Sequence, residues 1–297
     1  ISGATTGPMS DASRVPARPA DSADLSGTQV ELDHRYVVGE LVHRGPLVAL
    51  FTGRWQTFDR PVYVRSYEAL VRLRLRHRDT MRIKHLVETV APQVEGPGLP
   101  DVLDVGAEEP MKPFLVLRLP PGDLLINHLK AGRRFHPDEA AHIVHSIAQG
   151  LEAYRAAGTA HRGPTADRIW VSDKGDALLL GYGEVLFRDD TINMSTAPAT
   201  ELVWHLPPEA FAQTVELTEA PDLAGTGRQK LPSGAFVTRE VEESPAAEVY
   251  ALGCLAYHAV TGHHPFFLKV GDPAAGIKAT LTDEPLDMEG VAPDSDF

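Results

Sequence analysis

The expected fold class is α+β, with strand patterns in the first part of the chain and helical patterns in the second. Val62-Tyr63-Val64, led by Pro61, is typical of a strand. An amphipathic helix is predicted to open at Pro137 and to close at Gly158. A second helix, Glu248 to Tyr257, is apolar nearly all round.

The composition bounds the class of protein. The chain has 297 residues and 43% apolar content, which is enough to bury a sizeable core. A formal net charge of -13 argues against nucleic acid or an anionic membrane as the main partner. The one cysteine, Cys254, excludes an internal disulfide and suits a reducing cytoplasm, so a cytoplasmic location is expected. No apolar run of about 18 residues occurs, so no membrane span is expected within this chain.

Local patterns divide the N-terminal part. Residues 1–33 are rich in Ser, Thr, Ala, Gly, Pro and Asp without periodicity, which predicts a disordered arm. Further strands are predicted at Tyr36 to Val38 and at Leu47 to Phe51, around a turn at Arg44 to Pro46. Residues 70–91 carry a run of arginines between apolar residues, and the second half of this segment predicts a helix. Pro92 is expected to end this basic helix.

In the second part, the first helix has an apolar stripe with spacings of four, four and three residues. Its members are Ile143, Ile147, Leu151 and Tyr154. A hairpin is predicted next, with strands Ile169 to Val171 and Ala177 to Leu180 around the turn Asp173 to Asp176.

One stretch organises the chain: His161-Arg162-Gly163-Pro164-Thr165-Ala166-Asp167-Arg168-Ile169-Trp170-Val171, followed ten residues later by Gly181-Tyr182-Gly183. With the later Thr261-Gly262-His263-His264-Pro265-Phe266, the order and spacing resemble the eukaryotic-like (bacterial) Ser/Thr protein kinase family. The resemblance covers residues 35–285. It implies a two-lobed fold, with a small antiparallel-sheet lobe and a mostly helical large lobe that is expected to lack its last helices.

The resemblance also implies domain boundaries. A kinase-like domain is expected at 34–285, followed by an acidic tail at 286–297. Its expected parts are a small lobe at 34–117, a hinge at 118–122, a large lobe at 123–285 and an insertion at 212–246. Phe236-Val237 is a possible hydrophobic anchor for the insertion, and Glu248 replaces the Asp that ties the family's catalytic loop.

The family's catalytic positions are substituted in this sequence. Gly163 stands at the position of the family's catalytic base, and Thr165 at that of the lysine two residues after the base. The positions of the two metal ligands hold Arg168 and Gly181. Magnesium needs carboxylate oxygens, so no metal is expected. His161 and Tyr182, by contrast, suit the buried positions held by His and Phe in the family.

The nucleotide positions are substituted as well. The family's three loop glycines correspond to Val42, Arg44 and Leu47. The alanine over the adenine corresponds to Tyr63, the strand lysine to Arg65, and the hinge residue that donates its amide to Pro120. Proline has no amide hydrogen to donate to a base. No cofactor is therefore expected. By position, Arg65 and Glu88 are expected to form a structural ion pair.

These substitutions predict a pseudokinase: a regulatory or scaffolding module that binds a protein partner and is not an enzyme. The basic helix, the insertion, the arm and the surface left by the missing helices are candidate contact surfaces. One alternative is a cleft that binds a non-ATP anionic ligand or peptide through Arg65, Arg118 and Arg168. Another is an atypical nucleotide-dependent transferase, with Glu184 or Asp167 for the metal and Arg65 or Arg168 for the phosphates.

Overall fold

The structure is a computed structural model, and it confirms the α+β class: an antiparallel sheet combines with helices. It describes residues 30–32, 34–45, 48–67, 81, 84–106, 113–158, 161, 163–181, 192–193, 207–210, 235–236, 245–266 and 279–288. Most of the predicted arm, basic helix, insertion and acidic tail lies outside these residues.

The main sheet has six strands in the order β1-β2-β3-β4-β6-β5, and every neighbouring pair is antiparallel. The strands are β1 (Val30–Leu32), β2 (Tyr36–Arg44), β3 (Ala49–Trp55), β4 (Arg60–Ser66), β5 (Asp101–Gly106) and β6 (Phe114–Arg118). The three strands predicted in this region are confirmed. The sequence places β1 in the disordered arm, but the structure pairs it with β2 and buries Leu32 completely.

The two faces of the sheet bury different residues, because side chains alternate along a strand. On β4, Val62 and Val64 are buried in a cluster made by the sheet itself. Tyr63 and Arg65 alternate with them and so face the other way. Tyr63 packs against the larger core cluster, which contains residues of both the sheet and the helical part. This face of the sheet therefore borders the candidate site.

The helices that the structure bounds after the sheet are α1 (Leu125–Lys130), α2 (Pro137–Ala156) and α3 (Pro245–Thr261), and residues 279–282 are also helical. The predicted apolar stripe of α2 is confirmed, since all four of its members are buried. The His136 side chain accepts from the Asp138 amide at 3.3 Å, and the Glu139 carboxylate accepts from the His136 amide at 2.9 Å. This reciprocal capping satisfies amides that the first turn leaves without helical partners.

Helix α3 packs against α2. Cys254 is buried, and burial raises the pKa of its thiol to about 11, so it acts as a small apolar core residue on this helix. Arg155 near the end of α2 donates to the Glu248 carboxylate at the start of α3. Glu248 thus joins the two helices, a contact that the sequence comparison with the family does not predict.

A second sheet carries the stretch that organises the sequence. It has three strands in the order β7 (Gly122–Leu124), β8 (Ile169–Ser172) and β9 (Ala177–Leu179), all antiparallel. The predicted hairpin is confirmed, and its turn is closed by the Ser172 amide donating to the Asp176 carbonyl at 2.8 Å. A 3-10 turn, Ala166–Arg168, leads directly into β8. The hairpin therefore holds this turn in place.

Two further segments bear on the predictions. Before Pro92 the chain forms a π-helix, Leu86–Val90, and Ala91–Gln93 then forms a 3-10 turn. This change of helix type at Pro92 is expected of a proline. Two-residue strands β10 (Ile192–Asn193) and β11 (Ala235–Phe236) pair with each other. Part of the predicted insertion is thereby joined to the segment that follows Gly181. No helix in the described part of the chain is long and apolar enough to cross a bilayer.

Acid is expected to destabilise the fold through His258 on α3. Burial lowers the pKa of His258 to about 4, with smaller contributions from His264, Arg134 and His263. An unfolded histidine keeps its ordinary value of 6.5, so the unfolded state binds more protons below that pH. The unfolding free energy should fall by about 2–3 kcal/mol from pH 6.5 to pH 4, because one pKa unit is worth about 1.4 kcal/mol.

Urea unfolding at a series of pH values measures this loss. Since other groups also titrate, the informative quantity is the difference between wild type and His258→Gln, which cannot take up the proton. The variant should lose less stability than wild type over this range. Equal losses in both proteins would show that His258 does not carry the effect.

Candidate functional site

The candidate site lies where the turn between β2 and β3 meets the 3-10 turn before β8. The Gly45 amide donates to the Val48 carbonyl at 2.8 Å and closes the first turn. A Cβ atom placed on Gly45 would lie 3.8 Å from Asp167 Oδ2 and 3.9 Å from His43 Nε2. Gly45 therefore sits directly over the Asp167 carboxylate.

Asp167 remains a carboxylate at neutral pH. Burial acts to raise its pKa, but the Arg168 guanidinium, a hydrogen bond from the Thr165 hydroxyl and the charge of Arg65 hold the pKa below its usual range. The Thr165 hydroxyl donates to Oδ1 and so also orients the side chain. An oriented, ionised carboxylate can accept a proton or a hydrogen bond from a ligand.

Two arginines from different elements lower the pKa of this carboxylate. Arg65 comes from β4, lies opposite Leu115 of β6, and is only 3% exposed. Arg168 belongs to the 3-10 turn, and its Nη1 donates to the Gly163 carbonyl at 3.3 Å. Both guanidinium groups act electrostatically on Asp167. The arrangement offers positive charge beside a negative group, which suits a ligand with phosphate groups and a hydroxyl.

His43 is the fourth charged or titratable group here. Burial lowers the pKa of its imidazole, Asp167 opposes that effect, and the charges of Lys130 and Arg65 support it. The ring is therefore neutral at pH 7 and can donate or accept one hydrogen bond. The sequence analysis does not single out His43. Its position could have indicated it. His43 lies on a strand two residues before Gly45, and residues two apart along a strand face the same side.

Gly163, at the position of the family's base, has a backbone that suits glycine. Its φ angle is 153°, which residues with a side chain rarely adopt. An aspartate at 163 would therefore strain this backbone. Asp167, four residues on, is the carboxylate that the same loop places beside Gly45.

The position of the family's metal-binding aspartate, Gly181, also has a structural role. Its carbonyl accepts a hydrogen bond from the Tyr154 hydroxyl of α2. The Tyr154 ring contacts the His161 ring, with 5.3 Å between centroids, and His161 is fully buried. The prediction of a buried His161 is confirmed. Tyr182 and Glu184 lie outside the described residues.

Side chains fill the region where the resemblance places the adenine. The Tyr63 and Trp170 rings meet edge to face, with 4.8 Å between centroids. The Trp170 indole N–H donates to the Pro120 carbonyl at 3.0 Å, and Tyr63 pairs across the sheet with the fully buried Leu117. The structure thus brings together Tyr63 and Pro120, which the sequence singles out, with Trp170, to which it assigns no role.

The remaining predicted positions are less central. Val42 is half-buried against the main core, and the exposed Arg44 lies 6.0 Å from the Phe51 ring centroid. Leu47 lies outside the described residues. Arg118, offered as a cleft cation, instead pairs with Asp101 at 3.1 Å on the exposed edge of the sheet.

The predicted pair of Arg65 with Glu88 is not seen in the described contacts. Arg65 is buried and Glu88 is exposed, and the structure describes no ion pair between the two side chains. The predicted pair therefore stays a prediction.

The donor set does not fit the divalent metal that the resemblance implies. Magnesium prefers carboxylate oxygens, usually one or two with the phosphates of the substrate. The family's two metal positions hold Arg168 and Gly181, and Asp167 already accepts from Thr165 beside two guanidinium groups. Within the described ranges, no three His, Cys, Asp or Glu side chains are placed to hold a metal ion.

The chain is similar to bacterial serine/threonine-protein kinases. It is 26% identical over 278 residues to the serine/threonine-protein kinase PknL of Mycobacterium bovis and of Mycobacterium tuberculosis, which covers 89% of this chain. It is 25% identical over 222 residues to PknA of Mycobacterium tuberculosis, covering 73% of this chain and 42% of PknA. The chain spans about three fifths (59%) of the length of PknL. No family model matches the chain.

These relatives overturn two predictions. The sequence analysis predicts a non-catalytic scaffold and a protein that is not an enzyme, but the relatives are named as protein kinases, which are enzymes. The physical reason for the error is that a substituted position does not by itself show a lost activity. The loop that lacks the expected base at Gly163 carries another carboxylate, Asp167, which lies beside Gly45.

Proposed function

We propose that this chain is an atypical serine/threonine-protein kinase domain that transfers a phosphoryl group from a nucleoside triphosphate to a protein hydroxyl. The six-stranded sheet acts as the small lobe and the helical part as the large lobe. Asp167 receives the hydroxyl proton, and Arg65 and Arg168 bind the phosphates. Similarity to PknL and PknA supports the reaction class.

The observation that carries the proposal is the position of the Asp167 carboxylate. It lies under Gly45, is oriented by the Thr165 hydroxyl, and stays ionised because Arg168, Thr165 and Arg65 lower its pKa against the effect of burial. Phosphoryl transfer needs positioning and charge stabilisation more than covalent chemistry from the protein. A fixed carboxylate beside two guanidinium groups supplies both.

The proposed step balances without another reactant. The hydroxyl oxygen of the acceptor forms a bond to the γ-phosphorus while its proton passes to Asp167. The bond from the γ-phosphorus to the bridging oxygen breaks, and the nucleoside diphosphate leaves. Arg65 and Arg168 stabilise the negative charge on the phosphoryl oxygens.

The adenine must displace the Tyr63 ring, and this requirement gives a prediction. Tyr63→Ala should bind ATP more tightly than wild type, because the ring no longer has to leave its contact with Trp170. An aromatic pair of this kind is worth about 0.5–1.5 kcal/mol, so the dissociation constant should fall about 2- to 10-fold. Isothermal titration with ATP measures it.

Tyr63→Phe is the matched control, since it keeps the ring and removes only the hydroxyl. It should bind ATP as wild type does. If Tyr63→Ala binds no more tightly than Tyr63→Phe, the ring does not occupy the base site and the proposed position of the adenine is wrong.

The direct test of the proposed function is an assay of phosphate transfer. The purified chain is incubated with ATP labelled at the γ-phosphate, a general protein substrate, and magnesium, manganese or EDTA. Labelled phosphoserine or phosphothreonine, in the chain itself or in the substrate, is the expected result. Absence of label under all three conditions, with native circular dichroism, would contradict the proposed function.

A further inference from the structure

A cavity of about 460 Å³ lies beside the edge of the main sheet, where the chain from Ala91 onwards runs into β5. Its volume is within the range of about 300–1,000 Å³ that is usual for ligand sites. The described lining includes none of the residues around Asp167, so the cavity is separate from the candidate site. Its apolar lining residues include Pro92, Val94, Leu99, Pro100 and Val102.

The wall that the chain forms just before β5 is firmly held. The Leu99 amide donates to the Gly96 carbonyl at 3.2 Å, and the Leu179 amide of β9 donates to the Gly98 carbonyl at 2.7 Å. Gly98 also packs so closely on α2 that a Cβ atom placed on it would lie 1.9 Å from the Ser146 carbonyl oxygen. The cavity is therefore preformed, and a ligand need not order its wall.

The free edge of β5 borders the cavity. Strand β5 is the last strand of the sheet, and in the described part of the chain it pairs with β6 alone. The Val105 amide is occupied by the Asp104 carboxylate at 2.9 Å, whereas the other end of the strand, Asp101 to Leu103, lines the cavity. An unpaired strand edge offers its N–H and C=O groups to an extended chain. A peptide paired there directs every second side chain toward the cavity.

The charges at the rim of the cavity favour a basic partner. Glu95 and Asp101 are exposed carboxylates, and Arg118 pairs with Asp101 at 3.1 Å. Among the described contacts, Glu95 has no cation opposite it. The whole chain carries a formal net charge of -13, which disfavours an acidic partner. A lysine or arginine therefore complements this rim.

We propose that the cavity and the adjoining edge of β5 bind an extended peptide segment that carries an aliphatic residue with a neighbouring lysine or arginine. The segment adds to β5 as a further strand. Its aliphatic side chain enters the cavity, and its basic side chain meets Glu95. This inference does not depend on the proposed function, because the cavity and the strand edge include no residue of the candidate site.

A phage-displayed library of random peptides, selected on the full chain and counter-selected on Val102→Phe, tests the site. Val102→Phe places a ring in the cavity, and thermal melting checks that the variant folds. Enriched peptides should combine an aliphatic residue with a neighbouring lysine or arginine. Fluorescence anisotropy with the most enriched peptide then gives dissociation constants. Val102→Phe should weaken binding about 10- to 100-fold, the value of burying one aliphatic side chain.

Two further measurements test the charge and the strand pairing. Glu95→Lys reverses the charge at the rim and should weaken binding about 3- to 10-fold, since an exposed ion pair contributes modestly. Glu40→Lys is the matched control, because Glu40 is an exposed glutamate on β2 that does not line the cavity, and it should bind as wild type does. N-methylation of the peptide should weaken binding at alternate positions, because an N-methylated amide cannot donate to the strand edge.

Three results would overturn the inference: no enriched peptide, enriched peptides that lack a basic residue, or Glu95→Lys binding as tightly as Glu40→Lys. An N-methyl scan without alternation would overturn the proposed strand pairing and with it the inference. The scan uses wild-type protein, and Glu95→Lys takes over the counter-selection if Val102→Phe fails to fold. The transfer assay decides the proposed function separately.

Discussion

Replacing Asp167 by asparagine is expected to lower kcat for phosphoryl transfer by about 100-fold or more, the usual effect of removing a group that takes up a proton. Asparagine has nearly the same shape and keeps an oxygen that can accept from the Thr165 hydroxyl, so the turn should keep its structure. What is lost is the negative charge that Arg168, Thr165 and Arg65 stabilise. Initial rates of phosphate transfer to the protein substrate at saturating ATP measure the change in kcat.

The control for this substitution is Asp176→Asn. Asp176 is an exposed carboxylate in the turn of the same hairpin, away from the Gly45 turn. It should leave kcat unchanged, and thermal melting should show that both variants fold. An Asp167→Asn protein that folds and retains the wild-type rate would remove Asp167 from the proposed step.

Replacing Trp170 by alanine is expected to reduce the unfolding free energy by about 3–5 kcal/mol, the range for truncating a buried aromatic residue. Trp170 is 1% exposed, contacts Tyr63 and donates its indole N–H to the Pro120 carbonyl. The substitution leaves a cavity where the sheet meets the hairpin. Urea unfolding followed by far-ultraviolet circular dichroism measures the loss without depending on tryptophan fluorescence.

Trp55→Ala is the comparison. Trp55 also contacts two aromatic rings, Tyr36 at 5.5 Å and Phe58 at 4.6 Å, but it is only partly buried at the end of β3. Its truncation should cost clearly less. Equal losses would show that Trp170 does not join the two parts of the molecule.

The elements with strong local patterns are those that the sequence predicts well. The α2 stripe repeats with the helical period over several turns, and all four residues are buried as expected. Strand β1 is missed because three residues, Val30–Leu32, are too short to show a pattern. Its stability comes from pairing with β2, a contact that local sequence does not contain.

The site is predicted in part. The sequence selects Tyr63, Arg65 and Pro120 by their place in a family pattern. It does not predict that Trp170 meets Tyr63 or that Gly45 covers Asp167, because each contact joins segments more than a hundred residues apart. Such contacts depend on how the sheet and the hairpin pack, which no local pattern specifies.

The functional prediction fails for a related reason. It treats the substitutions at Gly163 and Arg168 as losses, one position at a time. In three dimensions these positions are connected. The Arg168 guanidinium donates to the carbonyl of Gly163, whose φ angle suits glycine, and the same guanidinium lowers the pKa of the Asp167 carboxylate. The names of the relatives support activity, which a count of missing motif residues cannot assess.

The central claim is that the cleft around Asp167 binds the phosphates of a nucleotide. The most direct measurement is a crystal structure of the protein with a non-hydrolysable ATP analogue, grown with and without magnesium. The account predicts the γ-phosphate within hydrogen-bond distance of the Arg65 and Arg168 guanidinium groups, beside Asp167, with the Tyr63 ring moved away from Trp170. A nucleotide bound elsewhere, or an unchanged Tyr63–Trp170 contact above an empty cleft at saturating analogue, would contradict it.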